Sequence, residues 1–220
     1  FKNYYDLPVI VTNDANAAAI GEMMFGAARG MTNFIVITLG TGLGSGIVVN
    51  GDLVYGNDGF AGEMGHTTVR PGGRLCGCGR HGCLETYASA PGIKRTVFEL
   101  IAETNKDSLL SGLSFGELDA KLISEAADKG DEIAKRAYDY TGRILGQALA
   151  DATAYLSPEA VFLFGGLSRA GSWIMEPTRK YFEQSVLGIF KNKVKVEFSA
   201  LNERNGAILG AAALVWKEES

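Results

Sequence analysis

The order of sequence patterns predicts an α/β layer domain for this chain of 220 residues. β-Branched runs with the length of buried strands alternate with apolar stripes at helical spacing. Glycine accounts for 29 of the 220 residues, a fraction roughly double the usual ~7%. The glycines cluster where strands end. All three cysteines and both histidines lie between Glu63 and Glu85. These patterns indicate stacked sheet and helices with one metal-binding loop.

Composition limits the classes of function. Apolar residues make up 46% of the chain and charged residues 21%, which is typical of an ordinary globular protein. The net charge is −4 without a run of Lys or Arg, so we expect neither nucleic acid nor an anionic membrane as a direct partner. No apolar run is long enough to span a bilayer. Three cysteines cannot all pair, and they suit a reducing cytoplasm.

The stretch from Glu63 to Glu85 predicts a structural zinc site. Zn²⁺ takes four ligands in a tetrahedron, usually Cys thiolates and His nitrogens. Cys76, Cys78 and Cys83 lie within eight residues and need one His to complete a closed shell. The alternative is three incidentally buried thiols. The metal interpretation is preferred because the cysteines and histidines are so close together in sequence.

Either histidine could be the fourth ligand. His81 lies inside the cysteine loop, where it could equally be a solvated side chain. His66 precedes Cys76 by ten residues, and the intervening Pro and Gly residues allow the chain to turn back. The second ring nitrogen of His66 could then contact Glu63 or a ligand. His66 is preferred, and His81 remains the alternative.

A strand-to-helix corner is predicted near the start of the chain. Leu7–Thr12 has the pattern of a buried strand, and an Ala-rich helix follows Asn16. Asn13 and Asp14 could be no more than capping residues of this helix. They could equally carry ligand chemistry, since the carboxyl ends of strands bind ligands in α/β folds. An ionised Asp14 could accept a proton from a substrate hydroxyl. The two interpretations are evenly weighted.

A glycine-rich hairpin is predicted next. The strand Asn33–Leu39 runs into the segment 40–46, in which four glycines alternate with other residues. The pattern matches neither a dinucleotide-binding nor a Walker motif. A second strand follows and ends at Asn50–Gly51, which favours a type I′ turn. The first turn could therefore present backbone N–H groups and the Thr41 hydroxyl to phosphate oxygens.

The region from about Tyr87 to Leu156 is predicted to be mainly helical. Ser114–Glu117 has the pattern of a capping box, and Gly130 followed by Asp131 indicates a helix end and a new start. One long helix should then bury an apolar stripe. The stripe comprises Ile133, Ala137, Tyr140, Ile144, Ala148, Ala152 and Tyr155. We interpret these residues, tyrosines included, as core.

The last third continues the α/β pattern. A buried strand, Glu159–Phe164, ends at Gly165 and Gly166, where a flat ring or a phosphate could lie against backbone. The remaining segments are a helix from about Trp173 to Leu187, a half-exposed strand at Lys193–Phe198 and a closing helix at Asn205–Trp216.

Four motifs together resemble the ROK family (repressor, open reading frame, kinase), and most closely its bacterial glucokinases. In chain order they are V-T-N-D-A-N, L-G-T-G-L-G-S-G-I, G-E-M-G-H and C-G-C-G-R-H-G-C-L-E. The resemblance covers nearly the whole chain. It implies an actin/hexokinase-like (ribonuclease H-like) fold that binds ATP and a sugar between two lobes. It also implies that the activity is phosphoryl transfer from ATP to the 6-hydroxyl of a hexose and that the protein is a homodimer.

The resemblance also implies roles for individual residues. Asp14 would be the base for the sugar 6-hydroxyl, and the other sugar contacts would be Asn13, Glu63, His66 and Glu85. Thr41 and Gly42 would contact the ATP phosphates, with Mg²⁺ accompanying ATP. Gly165 and Gly166 would contact the adenosine. The zinc ligands would be His66, Cys76, Cys78 and Cys83.

Two departures from the family pattern stand out. Thr12 occupies a position where relatives often carry Glu. Family members open with a D-x-G-G-T-like phosphate loop, which has no match in this sequence. The nearest similar segment, Asp128–Gly130, lies between two predicted helices and cannot serve as that loop. We therefore expect the chain, which begins at Phe1, to be the C-terminal large lobe, inactive by itself.

Alternatives of other classes remain open at this stage. A sugar-sensing repressor of the same family would keep the zinc and sugar contacts. A structural zinc module without a small ligand would explain the cysteines but neither Glu63 nor the glycine hairpin. Glucose is the preferred hexose, with N-acetylglucosamine, N-acetylmannosamine and fructose as further candidates.

Overall fold

A single mixed sheet forms the centre of the fold. The computed structural model describes residue 4 and residues 11–104, 107–201 and 206–218. In this part of the chain the sheet has five strands in the order β3-β2-β1-β4-β5. The strands are β1 (Phe34–Leu39), β2 (Leu43–Val49), β3 (Asp52–Leu53), β4 (Ala160–Phe164) and β5 (Lys195–Phe198).

The first three strands form the predicted antiparallel hairpins. Leu39 pairs with Leu43 across the glycine turn, and Val49 pairs with Asp52 across Asn50–Gly51. Asn50 has φ 53° and Gly51 has φ 84°, as a type I′ turn requires. Both hairpin predictions are confirmed.

The parallel part of the sheet brings two glycine segments together. β1 pairs with β4 in parallel, with Thr38 opposite Phe164, and β4 pairs with β5 in parallel. The carboxyl ends of β1 and β4 therefore meet at the same edge of the sheet. The Gly40–Gly42 turn and the Gly165–Gly166 pair extend from that edge.

Helices cover both faces of the sheet. They are α1 (Asp14–Phe25), α2 (Ala90–Thr104), α3 (Ala120–Asp128), α4 (Glu132–Leu156), α5 (Ser172–Ser185) and α6 (Gly206–Glu218). Ile35 and Ile37 of β1 belong to a core shared with α2, α4 and α5. Phe34 and Val36 belong to a second core shared with α1 and α6. No helix of the described ranges is both long and apolar enough to cross a bilayer.

Some predicted details are wrong. The capping box forms, since Ser114 N–H donates to Glu117 Oε2 at 2.8 Å, but α3 begins only at Ala120. Asp119 is its N-cap and accepts a hydrogen bond from Leu122 N–H. Tyr155 is 87% exposed, so it lies outside the core stripe, whereas Tyr138 is fully buried. The stripe is displaced because α4 packs on neighbours along most of its circumference.

The predicted strand Leu7–Thr12 lies mostly outside the described residues, because the structure describes only its last two positions. The closing helix begins at Gly206, at the edge of another range that is not described.

A buried carboxylate ties α1 to the end of β5. Glu22 is fully buried, and its Oε1 accepts hydrogen bonds from Ala27 N–H at 2.7 Å and from Ala200 N–H at 3.1 Å. The Ser199 hydroxyl donates to Oε2. Because three donors converge on one carboxylate, Glu22 holds the C-terminal end of α1 against the sheet.

We expect Glu22→Ala to lower the free energy of unfolding by about 2–4 kcal/mol, because it leaves buried donors without an acceptor. Urea denaturation of the full-length protein measures this change. Glu176→Ala is the matched control, since Glu176 is an exposed helical glutamate, and its effect should stay within about 0.5 kcal/mol. Equal losses in the two variants would contradict the role assigned to Glu22.

Candidate active site and metal centre

The start of α1 separates a capping residue from a free carboxylate. Asn13 is the N-cap, and its Oδ1 accepts a hydrogen bond from Asn16 N–H at 2.7 Å. Asp14 is the first helical residue and is exposed. Within the described residues its carboxylate accepts no hydrogen bond, and it lines a cleft instead. Capping is therefore supplied by Asn13, which leaves Asp14 available for a ligand.

The cleft at the carboxyl edge of the sheet collects residues from distant parts of the chain. It has a volume of about 490 Å³. The lining residues relevant to ligand chemistry are Asp14, Thr41, Gly42, Glu85 and Gly165. They come from α1, the glycine turn, the metal loop and the end of β4. The fold therefore brings together two carboxylates, those of Asp14 and Glu85, and a glycine turn of the kind that can bind phosphate.

The glycine pair after β4 fits a close approach by a ligand. Gly165 has φ 107°, which only glycine adopts readily, and a Cβ there would lie 2.7 Å from the Leu39 carbonyl oxygen. Gly166 is exposed, and a Cβ there would meet nothing within 4 Å. Gly165 thus keeps the ends of β1 and β4 close together, while Gly166 presents open backbone.

Four side chains of the metal loop converge on one point. His66, Cys76, Cys78 and Cys83 place their ligand atoms within 4.8 Å of one another. His66 Nδ1 lies 3.6 Å from Cys76 Sγ, and Cys78 Sγ lies 3.7 Å from Cys83 Sγ. All three thiols are free. Sequence reasoning therefore selected a set of residues that the fold assembles.

These distances suit a tetrahedral zinc ion. With Zn–S at about 2.3 Å and Zn–N at about 2.0–2.1 Å, the edges of a tetrahedron are about 3.5–3.8 Å long. The measured separations of 3.6 and 3.7 Å fall in that range. Four protein ligands complete the shell, so the donor set fits a structural ion without an open position for water.

His81 lies apart from this cluster. It is exposed, and its Nδ1 lies 3.0 Å from the Gly73 carbonyl oxygen. Its neighbour Leu75 pairs with it in an isolated β-bridge. The choice left open by the sequence therefore falls to His66 on geometric grounds.

Burial sets the acid–base behaviour of the thiols. Burial raises the pKa of Cys76 to about 12, and its hydrogen bond to Glu85 adds to this effect. Burial also raises the pKa of Cys83. A hydrogen bond from the backbone of Arg80 lowers the pKa of the exposed Cys78 thiol. Metal binding must therefore displace protons from the buried thiols.

Two carboxylates lie close to the ring of His66. Its Nε2 lies 3.9 Å from Glu63 Oε2, and its Nδ1 lies 3.8 Å from Glu85 Oε1. Cys76 Sγ donates to Glu85 Oε1 at 2.9 Å. A Cβ on Gly42 would lie only 2.9 Å from Glu85 Oε2. Glu85 therefore touches both the metal cluster and the glycine turn.

Not every predicted residue lines the cleft itself. Glu63 and His66 lie on the metal-loop side, next to Glu85. Asn13 adjoins Asp14, and Gly166 adjoins Gly165. The predicted set is therefore contiguous, although only part of it borders the cleft.

Two contacts of the glycine hairpin are not predicted by any sequence pattern; one is made near the start of the metal loop and the other at the start of α2. The Ser45 hydroxyl donates to the Gly62 carbonyl oxygen and accepts from Met64 N–H at 3.4 Å. Ala90 N–H donates to the Gly40 carbonyl oxygen at 2.9 Å. In the sequence Ser45 resembles any other strand residue. The contact between Ala90 and Gly40 involves only backbone atoms, so it does not depend on residue type.

Comparison with known proteins gives relatives of two kinds. A glucokinase of Halalkalibacterium halodurans is 43% identical over 216 residues, covering 97% of this chain and 65% of the relative. A xylose repressor of Caldicellulosiruptor bescii is 33% identical, covering 96% of this chain and 53% of the relative. This chain thus spans less than two thirds of the length of either protein.

The crystal structure of a ROK family glucokinase from Streptomyces griseus, in complex with glucose and AMPPNP, superposes with a TM-score of 0.86. It is 39% identical, and the match covers 97% of this chain and 70% of that one. The predicted fold class, an α/β lobe of the actin/hexokinase type, is confirmed. The model of the ROK family matches residues 1–218, and the chain therefore belongs to the ROK family.

Proposed function

We propose that the protein containing this chain transfers a phosphoryl group from ATP to the 6-hydroxyl of a hexose, glucose in the first place. The observation that carries the proposal is the shared cleft of Asp14, Thr41, Gly42 and Glu85. This reaction needs a general base, a turn whose backbone can bind phosphate, and an acceptor for the sugar hydroxyls. The similarity to a glucokinase crystallised with glucose and AMPPNP supports the choice of substrates.

Asp14 is the proposed base. Its carboxylate stands at the start of α1 and lines the cleft. It accepts the proton of the 6-hydroxyl as that oxygen forms a bond to the γ-phosphorus. The bond between this phosphorus and the β,γ-bridging oxygen breaks, and ADP leaves. Positioning and charge neutralisation supply most of the rate enhancement in such reactions.

The remaining roles are those that the family resemblance implies. Asn13, Glu63, His66 and Glu85 hold the other sugar hydroxyls, since paired acceptors and donors match vicinal diols. Thr41 and Gly42 hold the phosphates of ATP, and Gly165 and Gly166 accommodate the adenosine. Mg²⁺ bound with ATP supplies neutralisation of phosphate charge.

The proposed metal is structural Zn²⁺, held by His66, Cys76, Cys78 and Cys83. The separations of their ligand atoms support it. His66 would use Nδ1 for the metal, which leaves Nε2, on the side of Glu63, for a sugar hydroxyl. Zinc then takes no part in the chemical step and fixes the loop that carries Glu63 and Glu85.

The chain itself is proposed to be the large lobe of a two-lobed kinase. Its coverage of 65% of the glucokinase from Halalkalibacterium halodurans supports this division. A phosphate loop of the D-x-G-G-T type would come from the other lobe. This lobe alone would therefore not phosphorylate a hexose. The proposal includes a homodimer, which the family resemblance supports, and a location in the cytoplasm, which the three free cysteines support.

The second candidate is a sugar-sensing repressor, which the 33% identical xylose repressor favours. The presence of both Asp14 and the Thr41–Gly42 turn in one cleft argues for the enzyme. Sequence-specific DNA binding by the full-length protein, released by sugar and without turnover of ATP, would favour the repressor. Parallel assays with N-acetylglucosamine, N-acetylmannosamine and fructose separate glucose from the other hexoses.

We expect Asp14→Asn to lower kcat for glucose phosphorylation by about 10²–10⁴-fold, because it removes the general base. The hexose KM should change little, since Asn keeps the size and polarity of the side chain. A coupled assay of ADP release by the full-length protein measures both constants.

Asp151→Asn is the control for this variant, because Asp151 is an exposed aspartate of α4 that does not line the cleft. Its kcat should equal that of the wild type. Full activity in the Asp14→Asn variant would refute the assignment of the base.

Removal of zinc should raise the dissociation constant of the hexose about tenfold, because the loop no longer holds its acceptors in place. Calorimetric titration before and after chelation measures the change, and metal analysis gives the zinc content. His66→Ala should lose zinc as well as hexose affinity, whereas His81→Ala should keep both. Loss of zinc in the His81→Ala variant alone would overturn the ligand set.

A further inference from the structure

Arg74 forms a contact network that none of the proposed roles uses. Its side chain is only 10% exposed. Nε donates to Glu99 Oε1 at 2.9 Å, and one Nη2 hydrogen goes to Glu99 Oε2. Nη1 donates to the carbonyl oxygens of Thr86 at 2.7 Å and Gly92 at 3.0 Å. Nη2 also donates to Thr96 Oγ1 at 2.9 Å. All five N–H donors of a guanidinium are therefore used.

The backbone and ring contacts of Arg74, which lies two residues before Cys76, join the two ends of the cysteine segment 76–83. Its N–H donates to the Tyr87 hydroxyl at 3.1 Å, and its guanidinium carbon lies 4.4 Å from the centroid of the Tyr87 ring. Its carbonyl oxygen accepts from Gly82 N–H at 2.8 Å. From the entry of this segment, Arg74 thus binds the chain at its exit and the start of α2.

The position of these contacts matters because of Glu85. The carbonyl oxygen that Nη1 holds belongs to Thr86, the residue directly after Glu85. On its other side Glu85 lies two residues after Cys83, a member of the metal cluster. The backbone that carries the Glu85 carboxylate is therefore held from one side by the metal ligands and from the other by Arg74.

We propose that Arg74 is a positioning residue for hexose recognition: it fixes the Glu85 carboxylate in the cleft by a clamp that does not depend on the metal. This inference rests on the proposed function, because Glu85 is a sugar contact only in that proposal. The loop then has two anchors, and either anchor alone keeps part of the wall in place.

Arginine is the side chain that this clamp requires. A planar guanidinium reaches a carboxylate in two parallel bonds and still has donors for two carbonyl oxygens. A lysine ammonium offers three donors from a single point and cannot span Glu99, Thr86 and Gly92 together. Arg74→Lys therefore keeps the charge and removes the clamp.

The test compares Arg74→Lys with the wild type in the full-length protein. We expect the KM for glucose to rise about tenfold, since a shift of a fraction of an ångström in Glu85 weakens hydroxyl recognition. The KM for ATP, kcat and the zinc content should stay within about twofold of the wild type, because a positioning effect on Glu85 alone leaves the other parts in place. Arg95→Lys is the matched control, because the exposed Arg95 of α2 makes only a 3.4 Å contact with the Leu75 carbonyl oxygen.

Glu99→Gln provides a milder variant in case Arg74→Lys fails to fold. Glu99 is half exposed, so its replacement leaves the core intact while weakening the bidentate pair. The KM for glucose should rise about threefold, in proportion to one weakened charge-assisted pair.

Chelation of zinc adds a coupling measurement on binding alone. The loss of glucose affinity on chelation should be larger in Glu99→Gln than in the wild type, since the two anchors support the same segment.

An unchanged KM for glucose in Arg74→Lys, or in Glu99→Gln if the first variant does not fold, would overturn the inference. A parallel rise in both KM values with a fall in kcat would also overturn it, because that pattern indicates general loosening. Wild-type protein that neither binds nor phosphorylates any hexose would overturn the proposed function itself, and with it a hexose-positioning role for Arg74. The two failures are distinguished by whether the wild type or only the variant departs from expectation.

Discussion

The convergence of four soft ligands on one point is the interaction on which the rest of the site depends. The loop from Glu63 to Glu85 has little regular structure, with two single-turn 3₁₀ helices at its ends, so it cannot hold its shape by a core of its own. The cluster of His66 and the three cysteines brings distant parts of the loop together. Because Cys76 also donates a hydrogen bond to Glu85, the cluster is in direct contact with a residue that lines the cleft.

The sheet supplies the second constraint. Parallel pairing of β1 with β4 sets the Gly40–Gly42 turn beside Gly165, and close packing of α1 on the sheet brings Asp14 to the same edge. Ser45 of β2 holds the chain at the start of the metal loop, and the hydrogen bond from Ala90 N–H to the Gly40 carbonyl oxygen holds the start of α2 at this edge. The cleft is therefore a meeting point of rigid elements, which suits a reaction that depends mainly on positioning.

Much of this arrangement could be predicted from local patterns. The type I′ turn at Asn50–Gly51 and the helix start at Asp131 follow from backbone preferences that act over a few residues. The cysteine cluster is visible because thiols are rare and were concentrated in one stretch. Tyr155 is exposed although the periodicity predicts it in the core, because periodicity does not show how much of the circumference of α4 is covered. The contacts of Arg74 cannot be predicted from sequence, because they are made largely to backbone carbonyl oxygens, which every residue carries.

In the proposed mechanism, His66 links the metal to the sugar. This link can be tested by a crystal structure of the full-length protein with glucose, combined with anomalous scattering at the zinc edge. We expect zinc bound by Nδ1 of His66 at about 2.0–2.1 Å and by three sulfur atoms at about 2.3 Å, with Nε2 in hydrogen-bond contact with a glucose hydroxyl. Zinc bound by His81, or glucose bound away from both His66 and Glu85, would contradict it.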